Sequence, residues 1–181
     1  LEEAAREVRY GFLLDVARAT NAAAVATGHT RDDAVETVML HILRGTGVHG
    51  LRGLEPVARF PVAAGWAGAA LPLLRPLIEV SRAETVEYCR SLELVPREDS
   101  SNRSTFHLRN RIRLELLPSM RKLNPRIDEA LLRLSGIAAA DDDFVSSAAR
   151  ELWKRCASPC GNAITIELHE FVAAPPAVQA R

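Results

Sequence analysis

The sequence carries no excess charge of either sign and contains little cysteine. Among 181 residues, 23 Lys and Arg balance 23 Asp and Glu, so the overall charge does not indicate a polyanionic partner. The three cysteines, Cys89, Cys156 and Cys160, are odd in number and form no pattern of close pairs. This argues against a disulfide framework and favours a reducing compartment, so we expect a cytoplasmic protein. A zinc site built from Cys156, Cys160 and His169 lacks the usual spacing and a fourth ligand.

Long apolar runs are also missing. No stretch approaches the roughly 18 apolar residues of a membrane span, and no basic-then-apolar leader opens the chain, so we expect no membrane partner. The hydrophobic content of 48% suits a packed globular core. Residue 1 is Leu rather than Met and lies within an amphipathic helical pattern, so we expect this sequence to be a piece of a longer one. Composition leaves the oligomeric state, including a homodimer, open.

Local patterns in the first half predict alternating helices and strands. Residues 1–20 predict a helix, and residues 22–29 (AAAVATGH) predict a short buried strand. The next helix is expected to begin near Thr30. Ser81 and Glu84 form a capping box that predicts the start of a further helix.

The last third is mainly helical by pattern. A helix is expected to begin at Pro125 and to run through Cys156, with an interruption near Gly136. Its predicted apolar stripe includes Leu131, Leu134, Ile137 and Phe144. Residues 162–171 (NAITIELHEF) begin with the alternation of a short strand.

Residues 26–45 (ATGHTRDDAVETVMLHILRG) crowd one histidine and three carboxylates into eight positions. At about 100° per residue, His29, Asp32, Asp33 and Glu36 gather on the arc opposite the apolar residues. The acids are therefore expected to face away from the core. Carboxylates in a first helical turn are stabilised by about 0.3–1 kcal/mol each, but a ligand site at the end of a strand explains His29 as well.

A basic segment follows at residues 97–126, with eight Lys or Arg against three Asp or Glu. Arg109, Arg111 and Arg113 alternate with Asn110 and Ile112, so no single helix or strand face is expected to carry all the arginines. The segment suits either a solvated face or phosphate binding, because planar guanidinium groups match phosphate geometry.

Four ordered segments resemble the tRNA(Ile)-lysidine synthase family. The resemblance covers roughly residues 2–135, and beyond it only the helical character matches. Four motifs in one order are more specific than any one of them. The segments are GHTRDDAVETVMLHILRGTGVHGL (28–51), RPLIEVSR (75–82), EDSSN (98–102) and RNRIRLELLP (109–118).

The resemblance implies an ATP pyrophosphatase with an adenine-nucleotide α-hydrolase-like α/β fold, built on a doubly wound parallel sheet. It implies a partial nucleotide-binding domain at residues 1–118 and a truncated, mainly helical tRNA-recognition domain at residues 119–181. The implied reaction uses ATP and Mg²⁺ to adenylate the C2 oxygen of the wobble cytidine of tRNA(Ile), after which free lysine displaces AMP.

The family's motifs also imply site residues. Asp33 and Glu36 would position or deprotonate the lysine amine and hold Mg²⁺, and Arg9 would brace the transferring phosphoryl group. The cofactor-binding residues implied are His29, Asp32 and Thr37. The residues implied to contact tRNA are Arg109, Asn110, Arg111 and Arg113.

One departure from the family concerns its Ser-Gly-Gly-x-Asp-Ser phosphate loop, which these 181 residues do not contain. We expect that loop to precede Leu1, and we expect little or no ligase activity from this polypeptide as it stands.

Three other functions compete with this interpretation. A tRNA-thiolating ATP pyrophosphatase would share the fold but typically relies on cysteine pairs. A non-catalytic RNA-binding module would use the arginines for phosphates and the acids for capping. A metal-dependent hydrolase using His29, Asp32, Asp33 and Glu36 would need further ligands that the sequence does not identify.

Overall fold

The computed structural model describes residues 2–60, 71–97 and 107–181, with side chains from residue 7 onward. The EDSSN motif at residues 98–102 lies outside the described residues. The helices are α1 (Glu2–Ala19), α2 (Arg31–Leu43), α3 (Val48–Leu51), α4 (Arg82–Ser91), α5 (Leu108–Arg111), α6 (Leu117–Leu123), α7 (Ile127–Cys156), α8 (Leu168–Ala173) and α9 (Pro176–Gln179). A π-helical segment, Ile112–Leu116, joins α5 to α6. The strands are β1 (Val25–Ala26), β2 (Val57–Arg59), β3 (Pro72–Leu74), β4 (Ala157–Cys160) and β5 (Ala163–Ile166).

A small mixed sheet carries the N-terminal half. In the described residues its strand order is β1-β3-β2, with β1 parallel and β2 antiparallel to β3. Helix α1 packs on this sheet through Leu14 and Ala17, which join Val25, Phe60 and Leu73 in one buried cluster. The α/β class is confirmed. The wholly parallel, doubly wound sheet is not seen in the described residues, since β2 runs antiparallel.

A second core joins α2 to the helices that follow the basic segment. Val35, Val38 and Met39 of α2 pack with Leu117 of α6 and Leu131 of α7. Val38 is completely buried. This core crosses the expected domain boundary between residues 118 and 119, and the division into two domains stays a prediction.

Helix α7 runs without a break past Gly136, so the expected interruption there is wrong. Its buried side chains recur at helical spacing and include Leu131, Ser135, Ala138 and Asp142. Leu131 is buried as predicted, but Ile137 and Phe144 are 62% and 76% exposed. Ser135 and Asp142 are buried on the observed stripe instead. Both contact α3 or the loop that follows it.

The buried Asp142 of α7 belongs to what we call the α3–α7 ion cluster, made of His49, Arg52, Glu55, Asp142 and Asp143. Nη1 of Arg52 lies 3.0 Å from Oδ2 of Asp142, which is also 2.9 Å from Nδ1 of His49. The same Arg52 nitrogen contacts Asp143 at 2.5 Å, and its Nη2 contacts Glu55. The Ser135 hydroxyl donates to the carbonyl of Arg52 at 2.6 Å. Arg181 also contacts Asp142.

The chain beyond α7 forms an antiparallel hairpin, in which β4 pairs with β5. The strand predicted within residues 162–171 is confirmed by β5. None of the described helices is long and apolar enough to cross a membrane.

Candidate functional site

The turn between β1 and α2 is fixed by contacts at both ends. Thr30 caps α2 with an extended backbone, as the sequence predicts, and the next amide, that of Arg31, donates to the carbonyl of Val80 at 2.9 Å. Oγ1 of Thr27 lies 2.8 Å from Nδ1 of the half-buried His29. His29 and the first turn of α2 therefore sit at the carboxyl end of β1.

Asp33 closes the capping box of α2. Its Oδ2 accepts hydrogen bonds from the amide and the hydroxyl of Thr30 at 2.9 and 3.0 Å. Burial raises the pKa of Asp33, but the two bonds from Thr30 and the positive charges of Arg109 and Arg82 outweigh it. The net result is a lowered pKa, so Asp33 is ionised at neutral pH.

Glu36 is buried rather than turned to solvent, with a relative exposure of 1%. The sequence predicted that the acids face away from the core, but it did not predict that Glu36 would be buried. The helical spacing correctly places Glu36 on a different face of α2 from Val35 and Val38. That face is not open to solvent, because the segment containing α5 and the π-helical turn covers it.

Two arginines from this covering segment bind Glu36. Nε of Arg113 donates to Oε1 at 2.6 Å, and its Nη2 donates to Oε2 at 2.8 Å. Nε of Arg109 donates to Oε2 at 3.0 Å. The Glu36 carboxylate raises the pKa of Arg113 through these hydrogen bonds, against the opposing effect of burial. Such two-point guanidinium–carboxylate pairs are strong and directional.

The π-helical segment explains how this stretch serves two partners. The amide of Leu117 bonds the carbonyl of Ile112, five residues back, which is the π-type pattern. Ile112 and Leu117 are both buried, and both belong to the core around α2. Because the turn is widened, these two side chains share the core face while Arg109 and Arg113 reach Glu36.

Arg82 is a third arginine at this site, and sequence reasoning missed it. Its amide donates to Oδ2 of Asp32 at 2.7 Å. Its guanidinium lies 3.3 Å from Oδ1 of Asp33 and 3.6 Å from Oε1 of Glu36. The available signal was its position as the first residue of α4, directly after the predicted cap Ser81. That capping box is confirmed, with the Ser81 hydroxyl accepting from the Glu84 amide.

We call this group the arginine–carboxylate centre; its members are Asp33, Glu36, Arg82, Arg109 and Arg113. Oδ1 of Asp33 lies 3.4 Å from Arg109 and 3.6 Å from Arg113. Three guanidinium groups thus face two carboxylates, which leaves one positive charge in excess among these five side chains. The arginines remain 24% to 38% exposed, so their guanidinium donors are accessible from solvent. The neighbouring Asp32 carboxylate, which accepts from the Arg82 amide and acts on Arg113 through its charge, balances the excess.

The other predicted site residues lie around this centre or apart from it. The Thr37 hydroxyl donates to the Asp33 carbonyl at 2.7 Å, within α2. Asn110 is half-buried. Arg111 is exposed and lies 3.5 Å from Glu115, so the structure separates it from Arg109 and Arg113. Arg9 is exposed on α1, and no described contact joins it to the centre.

The carboxylates do not fit a magnesium site as they are arranged here. Asp33 and Glu36 already have arginine counter-ions, and repulsion from three guanidinium groups disfavours a divalent cation. Among the described residues, no group of three or more His, Cys, Asp or Glu is placed to hold a metal ion. The same guanidinium donors do fit a phosphate, which suits ATP or RNA.

The cysteines give no support to a thiolation site. Cys156 is buried at the end of α7, and Cys160 is exposed at the far end of β4. Four residues of extended chain place them about 13 Å apart. This pair is too far apart to relay sulfur within a single site.

Comparison with known families matches residues 1–120 to the PP-loop domain, and this span includes every residue of the arginine–carboxylate centre. The chain belongs to the PP-loop domain family. A PP-loop domain implies an adenine-nucleotide α-hydrolase fold, with which the mixed α/β arrangement agrees. ATP binding is the property that this family supports for the chain.

Curated relatives of this PP-loop chain include three proteins named tRNA(Ile)-lysidine synthase. The protein from Dehalococcoides mccartyi is 49% identical over 156 residues, covering 84% of this chain and 32% of that protein. The protein from Clostridioides difficile is 32% identical, covering 100% of this chain and 37% of that protein. The protein from Salinispora tropica is 45% identical, covering 77% of this chain and 40% of that protein.

The chain therefore spans 32% to 40% of the length of these three relatives. The matches do not support the expectation that this chain is a fragment lacking the N-terminal phosphate loop of the family.

Proposed function

We propose that this chain is part of a tRNA(Ile)-lysidine synthase, which joins free lysine to the wobble cytidine of tRNA(Ile) at the expense of ATP. The observation that carries the proposal is the arginine–carboxylate centre at the tip of β1, in a PP-loop chain whose relatives bear that name. An anion-binding group beside an ionised Asp33 suits a reaction that brings together phosphate and a cationic amine.

The proposal also concerns the architecture of the protein. Its sheet would be a doubly wound parallel sheet, with nucleotide binding at residues 1–118 and tRNA recognition at residues 119–181. Free L-lysine and tRNA(Ile) would be its substrates in the cytoplasm. A homodimer and a requirement for Mg²⁺ stay predictions, and we derive no step through the metal.

Arg109 and Arg113 would bind phosphate oxygens of ATP or tRNA, because a guanidinium group presents paired donors to an oxyanion. ATP, when bound, would supply an adenylyl group for the C2 oxygen of the cytidine, with pyrophosphate as the leaving group, so that lysine then displaces AMP. Arg82 would add a third positive charge beside that phosphate. The remaining proposed tRNA contacts are Asn110 and Arg111.

Asp33 would position the ammonium group of lysine, and its Oδ1 would have to exchange an arginine contact for that group. Its lowered pKa keeps it negatively charged, which favours holding a cation and makes it a weak proton acceptor. His29, Asp32 and Thr37 would line the nucleotide side of the same turn. Arg9 would need to approach from α1 to brace the phosphoryl group.

The test is a chimera in which this chain replaces the matching segment of the Dehalococcoides mccartyi protein. We expect the chimera, given ATP, lysine and tRNA(Ile), to produce a nucleoside heavier by one lysine residue, as detected by mass spectrometry of the digested tRNA. The Asp33→Asn chimera should lose most of this product. No product from a folded chimera, while the parent synthase remains active, would contradict the proposal.

A non-catalytic RNA-binding module is the second candidate, and the partly exposed guanidinium groups of the centre favour it. It predicts salt-dependent binding of unrelated RNAs with no effect of ATP or lysine. The synthase proposal predicts that tRNA(Ile) is turned over and that lysine is consumed.

A further inference from the structure

The Glu36 carboxylate is occupied by arginine at both of its oxygens. Arg113 and Arg109 supply three charge-assisted hydrogen bonds of 2.6 to 3.0 Å, and a nitrogen of Arg82 lies 3.6 Å away. The side chain is only 2% exposed. A carboxylate has about four acceptor positions, so Glu36 has little capacity left for an ammonium group or a metal ion.

The two arginines, in contrast, are only partly used. Their contacts with Glu36 and Asp33 involve Nε and Nη2. In the part of the chain that the structure describes, Nη1 of each arginine takes no partner. The side chains are 28% and 24% exposed. Each guanidinium group is therefore fixed along one edge and retains donors for a ligand.

We propose that Glu36 is a positioning residue, whose buried carboxylate holds Arg109 and Arg113 side by side as a preformed site for a phosphate group. Fixing both guanidinium groups before the ligand arrives reduces the entropy lost on binding. This role differs from the catalytic and metal-binding roles that the family resemblance implies for Glu36. It rests on the proposed function, because the phosphate would come from ATP or from tRNA.

Removal of the Glu36 charge can either raise or lower the affinity for an anionic ligand. The sign of that change distinguishes a positioning role from a purely electrostatic one. Removing a negative charge near a site ordinarily strengthens the binding of a polyanion. If Glu36 positions the arginines, Glu36→Gln should weaken binding in spite of the added net positive charge.

The experiment measures the affinity of the 181-residue chain for a tRNA(Ile) transcript and, separately, for ATP. We expect Glu36→Gln to weaken at least one of the two by about tenfold, the effect of one lost charge-assisted contact. The ligand affected identifies the source of the phosphate. For tRNA, the slope of log affinity against log salt should fall by about 1 to 2, as one or two phosphate contacts are lost.

Glu115→Gln is the matched control. It also removes one negative charge from this region, but Glu115 is exposed and lies 3.5 Å from Arg111 rather than in the centre. We expect it to leave both affinities unchanged or to strengthen tRNA binding. Binding by folded Glu36→Gln that equals or exceeds that of the unaltered chain, as in this control, overturns the inference.

Arg113→Lys keeps the test decisive if circular dichroism shows that Glu36→Gln does not fold. Lysine retains the charge but loses the two-pronged contact with Glu36. We expect Arg113→Lys to weaken the affinity for tRNA(Ile) or for ATP by about tenfold. Unchanged affinity for both ligands overturns the inference.

Kinetics of the chimera separate this inference from the proposed function. A positioning role predicts that Glu36→Gln raises the KM for ATP or tRNA while the pH dependence of kcat stays unchanged. Loss of the acidic limb of the kcat profile with unchanged KM would show that Glu36 is the proton acceptor and overturn the inference alone. A chimera without lysidine product contradicts the proposed function, even if Glu36→Gln weakens phosphate binding.

Discussion

Glu36 and Asp142 are both buried carboxylates that bind arginine, yet the groups around them differ in number and exposure. Glu36 belongs to a centre in which three arginines meet two carboxylates. At Asp142, the guanidinium of Arg52 meets three carboxylates, because Asp143 and Glu55 also bind it, and His49 and Arg181 contact Asp142 as well. The first arrangement leaves exposed guanidinium donors for a ligand, whereas in the second both terminal nitrogens of Arg52 contact carboxylates.

The difference shows that burial of an ion pair does not by itself indicate function. Arg52 is 18% exposed and joins the loop after α3 to α7, so the α3–α7 ion cluster acts as a structural connection. The arginine–carboxylate centre also joins separate segments, but its cations remain more exposed. We therefore expect substitutions in the cluster to change mainly stability and substitutions in the centre to change ligand binding as well.

The largest effect on stability is expected from Arg52→Met. The substitution removes the ion pair between Arg52 and the buried Asp142. Breaking a buried ion pair lowers the free energy of unfolding by about 3 kcal/mol. Urea unfolding followed by circular dichroism measures the change. Arg133→Met, at an exposed position of α7, is the control and should change stability little. A loss below about 1 kcal/mol for Arg52→Met would show that the cluster is not a structural connection.

Arg113→Met should lower the unfolding free energy by a smaller amount, about 1 to 2 kcal/mol, because Arg109 still binds Glu36. It should also weaken tRNA binding by about tenfold, as measured by filter binding at fixed salt. Arg52→Met, studied at a temperature at which it is folded, should bind tRNA normally. Equal effects of the two substitutions on tRNA affinity would remove the functional contrast between the two regions.

Asp33→Asn should destabilise the chain by about 1 kcal/mol near neutral pH, since Asp33 is a charged member of the capping box. The pKa of Asp33 is lowered in the folded chain, so its contribution is present above the ordinary Asp range. It is lost as the pH falls through the lowered folded value. The difference from the unaltered chain should therefore shrink on acidification. Asp141→Asn, at an exposed position, should show no such trend, and a gap that widened at low pH would contradict the assignment.

The smallest effect is expected from Asp143→Ala. Asp143 is 69% exposed, and Arg52 keeps its contacts with Asp142 and Glu55 when it is removed. Exposed ion pairs contribute at most about 0.5 to 1 kcal/mol, so thermal unfolding should be nearly unchanged. A large shift in the melting temperature would mean that the cluster needs all three of its carboxylates.

Local signals predicted much of the helical fold. Thr30 and Ser81 cap their helices as expected, because a cap depends on residues within one turn. No comparable local signal predicts β4, which contains Pro159 and is stabilised by pairing with β5. The antiparallel direction of β2 depends on contacts with β3 across a long connection, which local patterns do not encode.

The candidate site was predicted in part of its composition, without Arg82, but not in its arrangement. The sequence identified Asp33 and Glu36 of α2 and the arginines at positions 109 and 113 as site residues, and the structure brings these four together. Helical periodicity could not reveal that Glu36 is buried, since the covering segment lies more than 70 residues away. The π-helical turn at Ile112–Leu116 was not predicted either.

That wider turn holds one more residue than an α-helical turn would need. If the same residues formed a regular α-helix, the flank that begins at Leu117 would rotate by about 100° relative to the flank that carries the arginines. Either Leu117 or the pair of guanidinium groups could then meet its partner on α2, but not both. The extra residue taken up in this turn is therefore what lets one short segment supply both packing and charge recognition.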